Sequence, residues 1–393
     1  MRMHSSWYFL LTAFSLVYPM LTSAAPVIIP SPPELAATAY LLVDADSAEV
    51  LVSHNVGQRL PPASLTKMMT SYIAASEIKR DVVGLSDPVK ISVKAWRMGG
   101  SKMYIREGTQ VSLKDLLKGV IIQSGNDASV SVAEHISGSE DAFADVMNQM
   151  AVLLDMKDTH FVNATGWPDE DHYTTAKDMA TLAVALIRDY PAHYKMYSEK
   201  YFTYGNIRQP NRNSLLWRDN SVDGVKTGHT EAAGYCLVAS AKRDGMRLVS
   251  VVMGARSEEA RAAESQKLLT YGFRYFETMQ LYKAQEVLST VRVWGGQDET
   301  VRLGLVEGVV LTTPRGTRED LTATMDINSV IEAPLKVGQA LGTLTITRPD
   351  AETLEVPIVA LKSVDESGLF SSLLDTIHLF FLQLFGMETL HRI

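Results

Sequence analysis

A serine lies three residues before a lysine at Ser64-Leu65-Thr66-Lys67, a spacing that lets two side chains react together. On a helix, positions i and i+3 share a face, so the Lys67 amine can reach the Ser64 hydroxyl. A serine hydroxyl is a poor nucleophile until a neighbouring base takes its proton. Lysine becomes that base only where desolvation or a nearby cation lowers its pKa. The chain supplies its own control, because Ser76-Glu77-Ile78-Lys79 repeats the spacing and reads as a solvated helix end. Context separates the two copies. Pro61-Pro62-Ala63 delivers Ser64 to a first helical turn, where unpaired backbone N–H groups and the helix dipole stabilise developing negative charge.

Two further tripeptides follow. Ser124-Gly125-Asn126 offers a hydroxyl that can pass a proton between Lys67 and a leaving amine, and an amide that can hold a substrate amide. Taken alone it reads as a helix cap or turn, since Ser, Gly and Asn are all turn formers. Lys226-Thr227-Gly228, followed by His229, offers a cation for a substrate carboxylate, a hydroxyl, and a glycine that lets backbone approach backbone. The same cation would depress the Lys67 pKa. In isolation the tripeptide reads as a plain turn. A phosphate-binding loop is excluded, because that motif needs spaced glycines before its lysine.

The elements that must position these residues can be read from pattern. Ala39 to Val43 and Ala48 to Val52 form a hairpin around Asp44-Ala45-Asp46-Ser47. A helix follows from Ser64 to about Lys79, and Leu113 to Ile122, Asp127 to Ile136 and Thr175 to Arg188 are helical by period. The run Lys226-Thr227-Gly228 is expected just before a strand that opens near Gly234. Tyr235 to Ala241 and Arg247 to Met253 read as strand, turn, strand about Lys242-Arg243-Asp244-Gly245, and Ala260 to Phe276 returns to helix. The first unit is therefore α+β: an antiparallel sheet whose first and last strands come from opposite ends of the segment, with a helical insert. From Ala284 to Val364 short runs alternate, at Thr290 to Val293, Val301 to Leu303, Val309 to Thr312, Thr322 to Met325, Ala340 to Thr347 and Leu354 to Ala360. That is a small all-β unit without a catalytic constellation.

Composition narrows the class. A formal charge of -8 and a pI near 5.6 argue against nucleic acid as a partner. At 393 residues, two folded units plus appendages are expected. Arg2 and His4 precede an apolar run from Trp7 to Leu21, and small residues follow at Thr22 to Ala25. This reads as an export signal cleaved after Ala24. Cys236 is the only cysteine, so no intrachain disulfide forms, and it reads as a small buried hydrophobe. In the tail, Phe370, Leu373, Leu374, Ile377, Phe381, Leu384 and Phe385 share one helical face, opposite Ser372, Asp375, Thr376 and Gln383. The face fits a helix lying in the membrane interface, or one docked on the all-β unit. No paired histidine spacing suggests a metal, and no cofactor is indicated.

The order and wide separation of Ser64 to Lys67, Ser124 to Asn126 and Lys226 to Gly228 resemble the signature of penicillin-binding proteins and class A β-lactamases. Within that superfamily the glycine in Ser124-Gly125-Asn126 and the stretch Val222 to Thr230 look like the low-molecular-mass D-alanyl-D-alanine carboxypeptidases. So do Gly100-Ser101-Lys102-Met103 and Ala176-Lys177-Asp178-Met179-Ala180. The resemblance implies a penicillin-binding, serine β-lactamase-like transpeptidase fold plus the all-β unit and a terminal amphipathic helix. It divides the chain into an export signal (1–24), a catalytic domain (25–283), an all-β domain (284–365) and a membrane-associating helix (366–393). It implies that Ser64 is acylated by peptidoglycan stem peptides and by β-lactams, with Lys67 as base and Ser124 as proton relay. Asn126 would hold the substrate backbone, and the N–H groups of Ser64 and His229 the oxyanion. Lys226, Thr227 and Arg261 would take the terminal carboxylate, with Gly228 completing the third motif. Arg261 is placed by Arg261-x-x-Glu264-Ser265, where a solvated helix arginine is the plain reading. The implied location is the periplasmic face of the bacterial inner membrane, held there by the C-terminus.

Rival readings are a serine β-lactamase and a non-catalytic wall-binding protein on the same fold. Class A β-lactamases place a glutamate, with an asparagine nearby, between the second and third motifs. Asn163 to Asp171 here holds acids, Glu170 among them, without a Glu-x-x-x-Asn arrangement. A decayed enzyme would be expected to lack one of Ser64, Lys67, Ser124 or Lys226, and all four are present.

Overall fold

The computed structural model of this chain describes residues 29–348 and 351–368. The export signal expected at 1–24 and nearly all of the helix expected at 366–393 lie outside them. A five-stranded antiparallel sheet organises the first unit, in the order Val50–His54, Ala39–Asp44, Met246–Ala255, Gly234–Arg243, Val222–Thr230. Chain ends meet in its middle, since Ala39–Asp44 pairs with Met246–Ala255 from Ala39↔Met253 to Asp44↔Leu248. The Asp244-Gly245 turn has φ of 48° and 88°, the left-handed pair that suits the twist of a two-residue hairpin.

Alternation along the strands gives the sheet two apolar faces. Leu41 and Val43 join Val249, Val251 and Met253 against the helical insert, where Met68, Met69 and Ile73 of the helix Lys67–Lys79 are fully buried. Leu42, Leu237 and Leu248 face the other way and pack on Leu268 and Leu269 of the helix Glu258–Tyr275. Each such side chain contributes about 1.5–3 kcal/mol on burial, so the layer on either side is fixed without a disulfide. Cys236 is buried here, its thiol pushed up to about 11 by burial and directed to the Ala233 carbonyl, an inert setting.

The insert carries the helices expected by period at Asn126–Ser137 and Ala176–Asp189. It also holds Glu140–Leu153, which the periodic reading passed over. The helix expected from Leu113 to Ile122 is straight only to Lys118 and then widens into a π-type turn over Gly119–Gln123. Close packing accounts for the glycine there, because a Cβ on Gly119 would lie 2.4 Å from Met103 Sδ.

All six expected runs of the second unit are strands, and five strands of the unit form one antiparallel sheet. The strand Phe276–Tyr282 was not anticipated. It leaves the helix Glu258–Tyr275 directly and pairs with Val309–Pro314, so the unit begins before Ala284. The two units touch at the first hairpin's turn, through Thr278 Oγ1 to Asp44 Oδ2 (2.6 Å), Ser47 Oγ to Thr312 Oγ1 (2.7 Å) and Arg348 to Glu49 (3.1 Å).

Candidate active site

Ser64 sits in a 3-10 turn, Ala63–Thr66, that runs straight into the helix Lys67–Lys79. In a 3-10 turn residues i and i+3 eclipse, so the tighter geometry aligns the pair better than the α-helix expected from sequence. Lys67 Nζ lies 3.0 Å from Ser64 Oγ. Its other partners are Asn126 Oδ1 at 2.7 Å and the Thr165 carbonyl at 2.5 Å. Lys67 is 1% exposed, and its pKa falls to about 7, chiefly through burial and secondarily through the Arg212 cation, with Asp127 and Glu140 pulling the other way. The second Ser-x-x-Lys copy behaves as a solvated helix end, with an exposed Lys79 amine only 3.4 Å from the Asp189 carbonyl and lying over the Tyr190 ring.

The three partners of Lys67 are not equivalent. Asn126 Nδ2 donates to the Gly99 carbonyl, which turns Oδ1 toward the lysine, and a carbonyl oxygen can only accept. A neutral amine keeps two N–H groups, and these two acceptors take them. Its lone pair is then left for Ser64, the one partner with a proton to give.

Ser124 stands between the π-type turn and the helix Asn126–Ser137 in a left-handed conformation, φ 63°. Its hydroxyl accepts from Lys226 Nζ at 2.9 Å. Lys226 also donates to the Thr227 carbonyl, and burial, then Lys67, then Arg212 and Arg261, push its pKa well down. Burial and mutual repulsion thus both act against a second positive charge in the pocket. Ser124 is thus held by Lys226, and where the sequence names Lys226 as the cation acting on Lys67, the leading one is Arg212.

Lys226, Thr227 and Gly228 do not precede a strand but lie within one, Val222–Thr230 at the sheet edge. The glycines and mixed polar residues of that stretch hide its period. Gly228 serves close approach, yet to the Ser64 turn: a Cβ there would sit 3.1 Å from the Pro62 carbonyl and 3.3 Å from Ala63 Cβ. His229 stacks on its cross-strand partner Tyr235 at 4.0 Å. Arg261 is 4% exposed rather than solvated. Its guanidinium donates to the Gly228 carbonyl (3.2 Å), pairs with Glu258 (3.3 Å) and lies over Tyr235.

A cleft of about 540 Å³ brings together Ser64, Ser124, Asn126, Thr227, Gly228, His229 and Arg261. Lys67 and Lys226 approach it from beneath, each hydrogen-bonded to one of its serines. Among the described residues, none of the second unit lines it. Among the described residues no group of three or more His, Cys, Asp or Glu side chains could hold a metal ion.

Sequence reasoning missed the support. Arg212 lines the cleft from a loop whose flanking asparagines are buried, with Asn213 tied to the Gly224 carbonyl. The loop Asn163 to Trp167 packs on the Ser64 turn. Asn163 Oδ1 gathers the N–H groups of Thr165, Gly166 and Trp167, and Gly166, at φ 80°, has the Ala63 carbonyl where a Cβ would go. His172 accepts from the Val162 N–H at Nδ1, which leaves Nε2–H for Thr66 Oγ1 at 2.8 Å, and burial lowers its pKa to about 4. It braces the turn as a neutral ring. None of these carries a motif, although the asparagine-to-glycine turn chemistry of 163–166 was visible.

Comparison with known proteins decides the family. Residues 27–257 match the family model described as D-alanyl-D-alanine carboxypeptidase, and residues 276–366 match that of the penicillin-binding protein 5 C-terminal domain. The chain belongs to the D-alanyl-D-alanine carboxypeptidase family. It is 44% identical over 368 residues to D-alanyl-D-alanine carboxypeptidase DacA of Escherichia coli (strain K12), covering 91% of each chain. Penicillin binding protein 5 from Haemophilus influenzae has the same fold, with a TM-score of 0.82 and 41% identity over 86% of this carboxypeptidase and 100% of that chain. Penicillin-Binding Protein D2 from Listeria monocytogenes, solved in an ampicillin-bound form, matches 62% of this chain and 100% of its own at a TM-score of 0.58 and 28% identity. The carboxypeptidase thus has the penicillin-binding fold with a separate C-terminal β domain.

Proposed function

We propose that this serine D-Ala-D-Ala carboxypeptidase works through an acyl-enzyme on Ser64, with Lys67 as general base. The observation that carries this is the pairing of each buried amine with one serine in a single cleft: Lys67 with Ser64 at 3.0 Å and Lys226 with Ser124 at 2.9 Å. Neutral Lys67 takes the Ser64 proton as Oγ attacks the carbonyl between the two terminal D-alanines. Backbone N–H groups of Ser64 and His229 receive the oxyanion. The peptide C–N bond then breaks and the departing D-alanine amine gains a proton from Ser124, and the proton carried by Lys67 replaces it, so that both groups end as they began. Water completes the turnover by releasing the shortened stem peptide.

Asn126 would orient the substrate amide, and the edge strand Val222–Thr230 offers backbone pairing to an extended peptide. Thr227, Arg261 and Lys226 would take the terminal carboxylate, with Gly228 keeping the strand against the turn. β-Lactams follow the same first step and leave slowly. A β-lactamase reading is not supported: Glu258 is the sole Asp or Glu among the residues lining the cleft and is paired with Arg261, while Glu170 lines a neighbouring chamber.

The test is covalent labelling. A fluorescent penicillin should label the full chain on Ser64, and Ser64→Ala should abolish labelling; retained label on that variant would sink the reading.

We further propose that residues 1–24 direct export, that 25–275 form the catalytic unit with 276–365 as the β unit, and that 366–393 attach the protein peripherally to the periplasmic face of the inner membrane. Support for the last comes from the apolar face of the tail, which has no Lys or Arg between Lys362 and Arg392, so attachment would be mainly apolar. No helix among the described residues is long and apolar enough to cross a membrane.

A further inference from the structure

One side chain borders the catalytic cleft and two further spaces. Trp167 lines the cleft, a chamber of about 580 Å³ and a smaller pocket of about 420 Å³, and among the described residues it alone lines all three. Its backbone is pinned: the N–H is shared between Asn163 Oδ1 (3.0 Å) and Thr165 Oγ1 (3.1 Å), and the carbonyl accepts from Asn163 Nδ2 (3.0 Å). From this anchor the residue stays 49% exposed. The benzo edge of the ring rests on the Gly99-Gly100 backbone, since a Cβ on Gly99 would lie 3.3 Å from Cη2 and one on Gly100 3.5 Å from Cζ3. The same Gly100 position lies 2.8 Å from Asn126 Nδ2, so the ring stands on the side of the cleft where Asn126 would orient the substrate amide.

The stem-peptide reading above fixes which part of the substrate meets this ring. With the terminal carboxylate at Thr227 and Arg261, and the scissile carbonyl over Ser64 and the His229 N–H, the peptide leaves along the edge strand toward Thr230. Thr227 to Thr230 spans about 10 Å of extended backbone, the length of three substrate residues. The residue before the two D-alanines therefore lies beside Thr230, which lines both the cleft and the chamber, as do Gly166, Trp167 and Pro168. The smaller pocket includes no residue of that strand. The side chain of this substrate residue thus enters the chamber.

Charge and wall chemistry select the kind of side chain. Arg59 of the chamber is already engaged, because Nε and Nη2 both donate to Asp158 Oδ1, at 3.1 and 2.8 Å. His172 is a neutral ring, its pKa lowered to about 4 by burial. The Asp169 carboxylate accepts a backbone N–H from Asp171, and the exposed Glu170 carboxylate makes no hydrogen bond or ion pair among the described residues. Two carboxylates without a cation thus line a space walled by Pro61, Pro62, Trp167 and Pro168. Apolar walls that lead to free negative charge fit an unbranched aliphatic chain ending in an ammonium. Resting on the stem-peptide reading, we propose that Trp167 is a specificity-determining residue for the position before D-Ala-D-Ala, and that the preferred substrate carries a free side-chain amine there. The stem of that side chain lies on the Trp167 ring and its ammonium meets Asp169 and Glu170. An amine tied into an amide has no charge to offer, so the chamber favours peptides not yet joined to another chain through it.

The experiment gives the full chain four acyl-D-Ala-D-Ala peptides that differ only before the first D-alanine: lysyl, Nε-acetyl-lysyl, norleucyl and glycyl. At low ionic strength kcat/KM for the lysyl peptide is expected to exceed that for its acetylated form by about two- to five-fold, the scale of exposed ion pairs. Glu170→Gln should shrink that advantage and leave the norleucyl-to-glycyl ratio as it was. Trp167→Ala should lower the norleucyl-to-glycyl ratio by roughly two- to ten-fold, and Trp167→Phe should keep most of it. Ratios cancel any general loss from a loosened 163–167 loop. A wild-type enzyme that cuts the acetylated peptide as well as the lysyl one, or a Trp167→Ala variant with an unchanged norleucyl-to-glycyl ratio, would overturn the inference. If the wild type cuts none of the four, the catalytic reading fails and the chamber is decided separately. The lysyl peptide should then still bind Ser64→Ala more tightly than its acetylated form, as read from tryptophan fluorescence, and equal binding overturns the proposal.

Discussion

The pH dependence of penicillin acylation tests the central arrangement without any substitution. Lys67 falls to about 7 because burial disfavours its cation and Arg212 repels it. The sign follows from the cation: the base-competent amine is the deprotonated form, so it accumulates as pH rises. About half of Lys67 is neutral at pH 7, about one part in eleven at pH 6 and about one in a hundred at pH 5. An unshifted lysine at 10.5 would be neutral in only about one molecule in three thousand at pH 7. Second-order acylation of Ser64, followed by stopped-flow with a reporter cephalosporin, should therefore fall about fifty-fold from pH 7 to pH 5 and level off above pH 8. Because the two amines interact, the midpoint belongs to the pair, and Arg212→Gln should move it upward while leaving the plateau little changed. A rate still climbing ten-fold per unit through pH 9 would refute a desolvated lysine base. So would a profile flat from pH 5 to 8, because the base would then be some other group.

The same burial has a thermodynamic cost. With the folded pKa of Lys67 below its unfolded value, the unfolded chain binds more protons between about pH 7 and 10.5, so this group's contribution to stability rises with pH across that window and is constant below it. Lys67→Met should lose that pH slope, as read from urea midpoints between about pH 7 and 10; a slope that persists in the variant would assign it to another group. Arg261→Met should raise KM for D-Ala-D-Ala peptides at least ten-fold, about 1.4 kcal/mol of one charged hydrogen bond, and leave an amidated peptide nearly unaffected. Equal effects on acid and amide would assign Arg261 to packing against Gly228 and Tyr235 alone. Deletion from Ser367 onward should yield an active enzyme in the soluble fraction, and activity that stays with membranes would place the attachment elsewhere.

What the sequence disclosed and what it hid follow from how far apart the determinants lie along the chain. Local ones were legible: Ser64 and Lys67 are three residues apart on one turn, the apolar run Ala39 to Val43 reads as a strand, and Asp244-Gly245 marks a hairpin. The strand Val222–Thr230 was misplaced because Gly224 and Gly228 are there for contacts with remote groups, Tyr194 for one and the Pro62 carbonyl for the other. Tertiary need overrode the local signal. Phe276–Tyr282, beyond the helix expected over Ala260 to Phe276, shows no strand signal for a related reason, since its partner Val309–Pro314 lies some thirty residues on.

The pKa of Lys67 could be reasoned from sequence only as a requirement. Its causes, burial beneath the Ala164 to Gly166 backbone of one loop and the Arg212 cation from another, lie about a hundred and 145 residues away along the chain. That dispersal also explains why the catalytic unit resists piecemeal reading. Ser64-x-x-Lys67 occurs with a twin at Ser76-x-x-Lys79 on the same helix, and nothing in the two tetrapeptides separates a base from a solvated amine. Thr66 to His172, Thr70 to the Ala164 carbonyl and Lys67 to the Thr165 carbonyl are the bonds that clamp the first copy beneath a loop, whereas Lys79 reaches only Asp189 O and the Tyr190 face at the surface. Catalytic competence therefore resides in the clamp: a Ser64-Lys67 pair transplanted without the 163–167 loop would keep its spacing and lose its neutral lysine.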